Sequence, residues 1–87
     1  MEQVAGYSLY FYPSCGYCRM VQQAIDQLGA EVELRDIHQD SQHLQELVAA
    51  TGSQMVPCLR VESERGASRW IHESRDIISY LSEQFAS

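Results

Sequence analysis

The spacing of apolar residues predicts three helices, because in three segments these residues recur every three or four positions. The first segment follows Cys15 and ends at Gly29, which suits a left-handed helix end. The second covers residues 39–52, with Asp40 or Ser41 as the N-cap, and the third begins with Ser74 as the cap. The predicted inner faces are Cys18, Val21, Ile25 and Leu28, then Leu44, Leu47 and Val48, then Ile77, Ile78, Leu81 and Phe85.

Four other segments have the composition or the alternation of strands. Residues 7–12 (YSLYFY) are rich in aromatic residues and predict a buried strand. Residues 31–37 alternate, with Val32 and Leu34 on one face and charged residues on a wet face, as at a sheet edge. Residues 58–62 follow Pro57, and the turn at 63–68 leads back into residues 69–72 as a hairpin.

The predicted order is therefore β-α-β-α-β-β-α, an α/β fold. The first βαβ unit requires parallel strands with a right-handed crossover, and the final hairpin adds an antiparallel edge. We expect a four-stranded mixed sheet flanked by three helices, in a single domain over residues 1–87.

Charge and hydropathy restrict the partners. Twelve acidic residues stand against six basic ones, all of them arginine, and the formal net charge is −6. This balance argues against nucleic acid or an anionic membrane surface as a partner. No apolar run approaches the roughly 18 residues of a membrane span, and no signal peptide is visible, so a cytoplasmic location is the default expectation.

Two of the three cysteines lie within YFYPSCGYCRM, residues 10–20. An odd number of cysteines in a reducing compartment does not suit a disulfide framework. Zinc sites usually have four ligands at recognisable spacing, and the other candidates here lack it, so no metal site is expected. These candidates are Cys58, His38, His43 and His72.

The position of the pair favours electron exchange. Cys15 falls in the loop after the first strand and Cys18 in the first turn of the first helix, where free N–H groups and the helix dipole favour a thiolate. Cys15 is predicted to be the exposed nucleophile. Cys18 follows the apolar stripe and is predicted to be the partly buried resolving thiol.

With CGYC at 15–18, MVP at 55–57 and ESRDI at 73–77, nearly the whole chain resembles the glutaredoxin family of the thioredoxin-like fold. The third motif is closer to that of glutathione transferase N-terminal domains. The resemblance implies a monomeric, glutathione-dependent thiol–disulfide oxidoreductase that reduces glutathione mixed disulfides and protein disulfides. It implies a cis Pro57 and a glutathione site formed by Tyr17, Val56, Pro57, Glu73 and Ser74, with Cys15 and Cys18 as the catalytic pair.

Several positions depart from the glutaredoxin pattern. Many members carry a lysine shortly before the first cysteine, which helps to hold the glycyl carboxylate of glutathione. Pro13 and Ser14 stand there in this chain, so Arg19 or Arg60 is expected to replace that lysine, if any cation does. Gly16 also replaces the motif proline.

Two alternatives stay open. Some glutaredoxins bridge a [2Fe–2S] cluster between two monomers through the first cysteine of each, here Cys15, and two glutathiones; Gly16 favours this reading by resemblance. The other alternative is a thioredoxin-like hydrogen donor that takes electrons from a flavin reductase, which the missing lysine favours.

Overall fold

The computed structural model describes residues 4–85, which form seven elements in the predicted order. The strands are β1 (Val4–Phe11), β2 (Glu33–Asp36), β3 (Cys58–Ser63) and β4 (Ser68–His72). The helices are α1 (Gly16–Leu28), α2 (Ser41–Thr51) and α3 (Ser74–Phe85). None of the helices within residues 4–85 has the length and apolar character required to cross a membrane.

The sheet has the strand order β2-β1-β3-β4. Strand β1 runs parallel to β2 and antiparallel to β3, and β4 pairs antiparallel with β3. The mixed four-stranded sheet, the thioredoxin-like arrangement and the edge position of β2 are therefore confirmed.

The alternation of side chains along β1 divides the core between the two faces of the sheet. Leu9 and Phe11 join residues of α1 and α3 in one apolar cluster, whereas Tyr10 joins Leu47 of α2 in another. Leu9, Tyr10 and Leu47 are fully buried. Helices α1 and α3 thus cover one face, α2 covers the other, and β1 lies between them.

Some predicted details are wrong. Strand β1 starts three residues earlier than predicted and stops at Phe11, before Tyr12 and Pro13. Leu34 and Val48 were expected on inner faces but are 51% and 38% exposed. The physical reason is position: β2 is a short edge strand, and α2 contributes one fully covered side chain, Leu47.

Helix ends follow the predicted chemistry with one exception. The Asp40 side chain caps α2 by accepting from the N–H of Gln42 at 2.9 Å, and Gly29 and Gly52 end α1 and α2 with φ of 65° and 72°. The predicted cap of α3 is wrong, because Ser74 is already the first helical residue. Glu73 takes the capping position, and its carbonyl accepts from the N–H of Ile77 at 3.0 Å.

A pair of leucines tests this description of the core. Leu9 and Leu34 are register partners on β1 and β2, but Leu9 is fully buried and Leu34 is half exposed. We expect Leu9→Ala to lower the free energy of unfolding by about 2–5 kcal/mol, because it leaves a cavity. Leu34→Ala should cost about 1 kcal/mol or less. Chemical denaturation of both variants measures the difference, and equal losses would contradict the burial described here.

Candidate functional site

The loop between β1 and α1 places Cys15 at the start of a helix. The N–H of Cys15 donates to the carbonyl of Tyr12 at 3.1 Å, which closes a tight turn after the strand. Cys15 is the N-cap of α1, with an extended backbone (φ −83°, ψ 118°). Its carbonyl accepts from the N–H of Arg19 at 3.1 Å and so begins the helix. The predicted location of Cys15 is confirmed.

A hydrogen bond from the backbone of Cys18 to the side chain of Cys15 connects the two cysteines. The N–H of Cys18 donates to Sγ of Cys15 at 3.4 Å, so the sulfur caps the helix in the way that a side-chain oxygen usually does. A backbone donor aimed at a sulfur at the positive end of a helix stabilises negative charge on that sulfur. Both cysteines are free thiols. The geometry therefore places the Cys15 sulfur as a hydrogen-bond acceptor at the start of the helix.

The burial of Cys15 corrects one expectation. Only 9% of its surface is exposed, compared with 1% for Cys18, so the predicted exposed nucleophile is nearly covered. The reason is that Cys15 belongs to the apolar cluster of Phe11, Cys18 and their neighbours, against which Val56 also packs. Little of Cys15 is therefore open to a reacting sulfur.

Burial acts on the chemistry of Cys18 and Cys58. Desolvation, with a further contribution from the neighbouring Cys15 thiol, raises the pKa of Cys18 to about 12, while the backbone of Tyr12 acts in the opposite direction. Desolvation alone raises the pKa of Cys58 to about 11. Cys58 is fully buried, as predicted for a small strand residue. Both thiols are therefore neutral at pH 7.

A cleft of about 280 Å³ brings together all five residues predicted to bind glutathione. They come from α1, from the loop before β3 and from the start of α3. The peptide bond between Val56 and Pro57 is cis, as expected. Met55 and His72 also line the cleft, which is formed by Tyr17, Met55, Val56, Pro57, His72, Glu73 and Ser74.

The start of α3 supplies the polar wall of this cleft. Glu73 has a φ of 70°, in the left-handed region that residues with a Cβ seldom adopt. This conformation turns the chain directly into the helix at Ser74. The first N–H groups of any α-helix lack a partner within the helix, and those of α3 begin at Ser74. The wall therefore combines backbone donors with the carboxylate of Glu73.

Neither arginine proposed for the glycyl carboxylate lines the cleft. Arg60 is engaged elsewhere: its Nε donates to Ser68 at 3.1 Å, ion-pairs with Glu62 at 3.2 Å, and its guanidinium lies over Trp70. Arg19 is exposed on α1.

A different cation stands close to the cleft. Arg75 lines a neighbouring hollow at the start of α3, together with Tyr17, Glu73, Ser74 and Asp76. The motifs did not predict Met55 and His72 in the cleft or Arg75 in the neighbouring hollow. Their adjacency to the motifs around Pro57 and Glu73 was the available signal.

Residues 4–85 contain no group of three or more His, Cys, Asp or Glu side chains arranged to hold a metal ion.

Comparison with known proteins defines the family. The model of the glutathione S-transferase N-terminal domain matches residues 9–87, which is most of the chain. The chain belongs to this family. No curated protein sequence matches it. The part of the expectation that rested on the third motif, ESRDI, is thereby supported, whereas membership of the glutaredoxin family stays a prediction.

Solved structures of this family share the fold. A maleylacetoacetate isomerase from Anaeromyxobacter dehalogenans, solved with bound GSH, is 24% identical, with a TM-score of 0.70 over 98% of this chain and 39% of its own. A delta-class glutathione transferase from Nilaparvata lugens is 26% identical, with a TM-score of 0.70 over 93% and 37%.

A trimeric glutathione transferase from Leishmania is 21% identical, with a TM-score of 0.76 over 93% of this chain and 18% of its own. The present chain thus spans less than two fifths of the length of these proteins.

The raised pKa values predict a loss of stability in alkali. Cys18 and Cys58 ionise near 9.0 in an unfolded chain but keep their protons to about 12 and 11 when folded. The folded state then binds more protons than the unfolded state, so the free energy of unfolding should fall above pH 9, by about 1.4 kcal/mol per pH unit for each thiol.

Denaturation in reducing buffer between about pH 8 and pH 10 measures this slope. Cys58→Ala serves as the comparison, because removal of one of the two thiols should reduce the slope by about half. An unchanged slope in that variant would contradict the assignment.

Proposed function

We propose that this protein is a glutathione-dependent thiol–disulfide oxidoreductase that reduces glutathione mixed disulfides and protein disulfides. The observation that carries the proposal is the hydrogen bond from the Cys18 N–H to Sγ of Cys15 at 3.4 Å, at the N-terminus of α1. A serine or tyrosine at this position could bind a thiol, but only a cysteine can exchange with a disulfide. The second cysteine, one helical turn away, can close the exchange.

Glutathione fits the cleft by its charges. Its γ-glutamyl carboxylate would accept from the free N–H groups at the start of α3, where the helix dipole also favours an anion. The carboxylate of Glu73 would accept from the ammonium group of the same γ-glutamyl residue. Family membership and the GSH bound in the active site of the maleylacetoacetate isomerase support glutathione as the ligand.

The middle of glutathione would lie along Val56. The structure gives the backbone N–H and carbonyl of Val56 no hydrogen-bond partner among residues 4–85. They are therefore available to pair with the cysteinyl residue of glutathione in the manner of a short strand. Tyr17, which is 66% exposed, would cover the ligand from the side of α1.

The first reaction needs one protein thiol. The Cys15 thiolate attacks the glutathione sulfur of a mixed disulfide, a bond forms between Cys15 and glutathione, and the substrate leaves as a thiolate. A second glutathione thiolate then attacks the glutathione sulfur of this adduct, which yields oxidised glutathione and restores the Cys15 thiolate. The two electrons come from glutathione, and a potential like that of glutaredoxins would allow either direction.

The second reaction needs both thiols. Cys15 attacks a protein disulfide and becomes joined to one sulfur of the substrate. Cys18 then loses its proton and attacks Sγ of Cys15, so the Cys15–Cys18 disulfide forms and the substrate sulfur leaves as a thiolate. Two glutathiones then reduce the Cys15–Cys18 disulfide, which restores both thiols and yields oxidised glutathione. The raised pKa of Cys18 makes this step faster as the pH rises.

Family membership favours one other function, glutathione transfer or isomerisation of the kind named for the solved relatives. In that case the site would activate the thiol of glutathione itself, and Cys15 would serve as a hydrogen-bonding group. The cluster-bridged dimer and the thioredoxin-like hydrogen donor also remain alternatives, and the monomeric state and the cytoplasmic location remain predictions.

Serine variants of the two thiols separate these functions. Cys15→Ser should abolish turnover of a small glutathione mixed disulfide, because a hydroxyl cannot form the intermediate. Cys18→Ser should retain that turnover and lose reduction of protein disulfides. The measurement is NADPH consumption coupled through glutathione reductase, with thioredoxin reductase in a parallel assay.

Full turnover of the mixed disulfide by Cys15→Ser would overturn the oxidoreductase assignment. Conjugation of an electrophile to glutathione by the same variant would favour a transferase. Activity with thioredoxin reductase alone would favour the hydrogen donor.

The role of Glu73 in holding glutathione is tested by Glu73→Ala. Loss of a charged hydrogen-bond acceptor should weaken glutathione binding about tenfold or more. The melting temperature should change little, because alanine and glutamate meet the same steric restriction at a positive φ. Glu64→Ala, an exposed glutamate in the turn between β3 and β4, is the matched control. Unchanged affinity in Glu73→Ala, measured by calorimetry, would remove Glu73 from the site.

A further inference from the structure

An aromatic stack connects the active-site loop to the next loop of the fold. The rings of Tyr12 and His38 lie 4.5 Å apart, with only 12° between their planes. Tyr12 follows β1 and precedes the turn that carries Cys15, whereas His38 follows β2. Strands β1 and β2 are parallel neighbours, so their carboxyl ends meet at the same edge of the sheet. The stack therefore spans two loops at the end of the sheet where the cysteine pair lies.

The His38 side of the stack is held by hydrogen bonds within its own loop and by one to the end of β1. The side chain of Asp36 accepts from the N–H of His38 at 2.9 Å and from the N–H of Gln39 at 3.2 Å. The N–H of Ile37 donates to the carbonyl of Phe11 at 2.9 Å, which joins this loop to the end of β1. These bonds fix the backbone of His38 and present its ring to Tyr12. The ring of Tyr12 thus packs against a residue whose backbone is fixed by hydrogen bonds.

The Tyr12 side of the stack acts on both cysteines through the backbone. Its carbonyl accepts from the N–H of Cys15 at 3.1 Å and so closes the turn before α1. Its backbone also lowers the pKa of Cys18, in opposition to the larger effect of burial. A shift of the Tyr12 peptide group would consequently move Cys15 relative to Cys18.

We propose that His38 is a positioning residue for the dithiol reaction, because its ring packs on the ring of Tyr12, the residue whose carbonyl closes the turn before the cysteine pair. This inference rests on the proposed function. The step that it affects is the attack of the Cys18 thiolate on Sγ of Cys15, in which the Cys15–Cys18 bond forms, the bond from Cys15 to the substrate sulfur breaks, and that sulfur leaves as a thiolate. For this attack the turn must hold Cys18 close to Cys15. A free glutathione, in contrast, approaches from solution.

The test compares His38→Ala, His38→Phe and Gln39→Ala. His38→Ala removes the stack, His38→Phe keeps a flat ring, and Gln39→Ala changes the adjacent exposed residue of the same loop. Each variant is assayed with a protein disulfide, whose reduction requires Cys18, and with a small glutathione mixed disulfide, which requires Cys15. We expect His38→Ala to lower protein-disulfide turnover about fivefold, and by more than mixed-disulfide turnover, as for a weakened interaction of moderate strength.

His38→Phe should recover most of that loss, and Gln39→Ala should behave as the parent protein. A double-mutant cycle with Tyr12→Leu should give non-additive effects on the resolving step, because both changes remove the same contact. Equal losses in both assays, no recovery in His38→Phe, or additive effects in the cycle would overturn the inference. Absence of mixed-disulfide turnover in the parent protein would instead overturn the proposed function.

Discussion

The N-terminus of helix α1 is the constraint on which the site depends. A helix leaves its first N–H groups unpaired, and in this protein a sulfur accepts from one of them, the N–H of Cys18. Cys15 can occupy that place only because the chain stops pairing as a strand at Phe11 and closes a turn through Tyr12. The buried strand β1 fixes the start of that turn, since Leu9 and Tyr10 anchor it from opposite faces. Core packing on both sides of one strand thus determines where the Cys15 sulfur lies.

The overall charge makes local donors important. A ligand with two carboxylates meets a protein of net charge −6, so attraction has to come from dipoles and from single cations. The start of α3 provides backbone N–H groups on the wall of the cleft, and Arg75 lies close by. Arg60 is held by Glu62, Ser68 and Trp70 on β3 and β4 and is not free for this task. In the proposed binding mode, backbone N–H groups at the start of α3 take the place of the lysine that the chain lacks.

Family membership describes the fold of the protein, whereas the cysteine pair bears on the reaction proposed for it. Membership of the glutathione S-transferase N-terminal domain family concerns the frame: the sheet, the cis Pro57 and the motif at the start of α3. The cysteine pair concerns the reaction that this frame supports. Under the proposed function, a glutathione site near two thiols one helical turn apart would suit exchange of disulfides.

Local sequence determined the elements and the positions of the motifs. The period of apolar residues, the caps at Asp40 and Gly29 and the order of strands follow from short-range chemistry, and they were sufficient to place Cys15 before a helix. Five of the seven residues that line the cleft were predicted through motifs, each of which lies beside a recognisable feature such as Pro57 or the start of α3.

Tertiary structure alone decided burial and partnership. The exposure of Leu34, the near-complete cover over Cys15 and the stack of His38 on Tyr12 depend on which segments meet in space. The period of a strand tells which residues share a face but not whether a neighbour covers that face. For the same reason the sequence offered Arg60 as a candidate for the glycyl carboxylate, although Glu62 and Trp70 contact it in the folded protein.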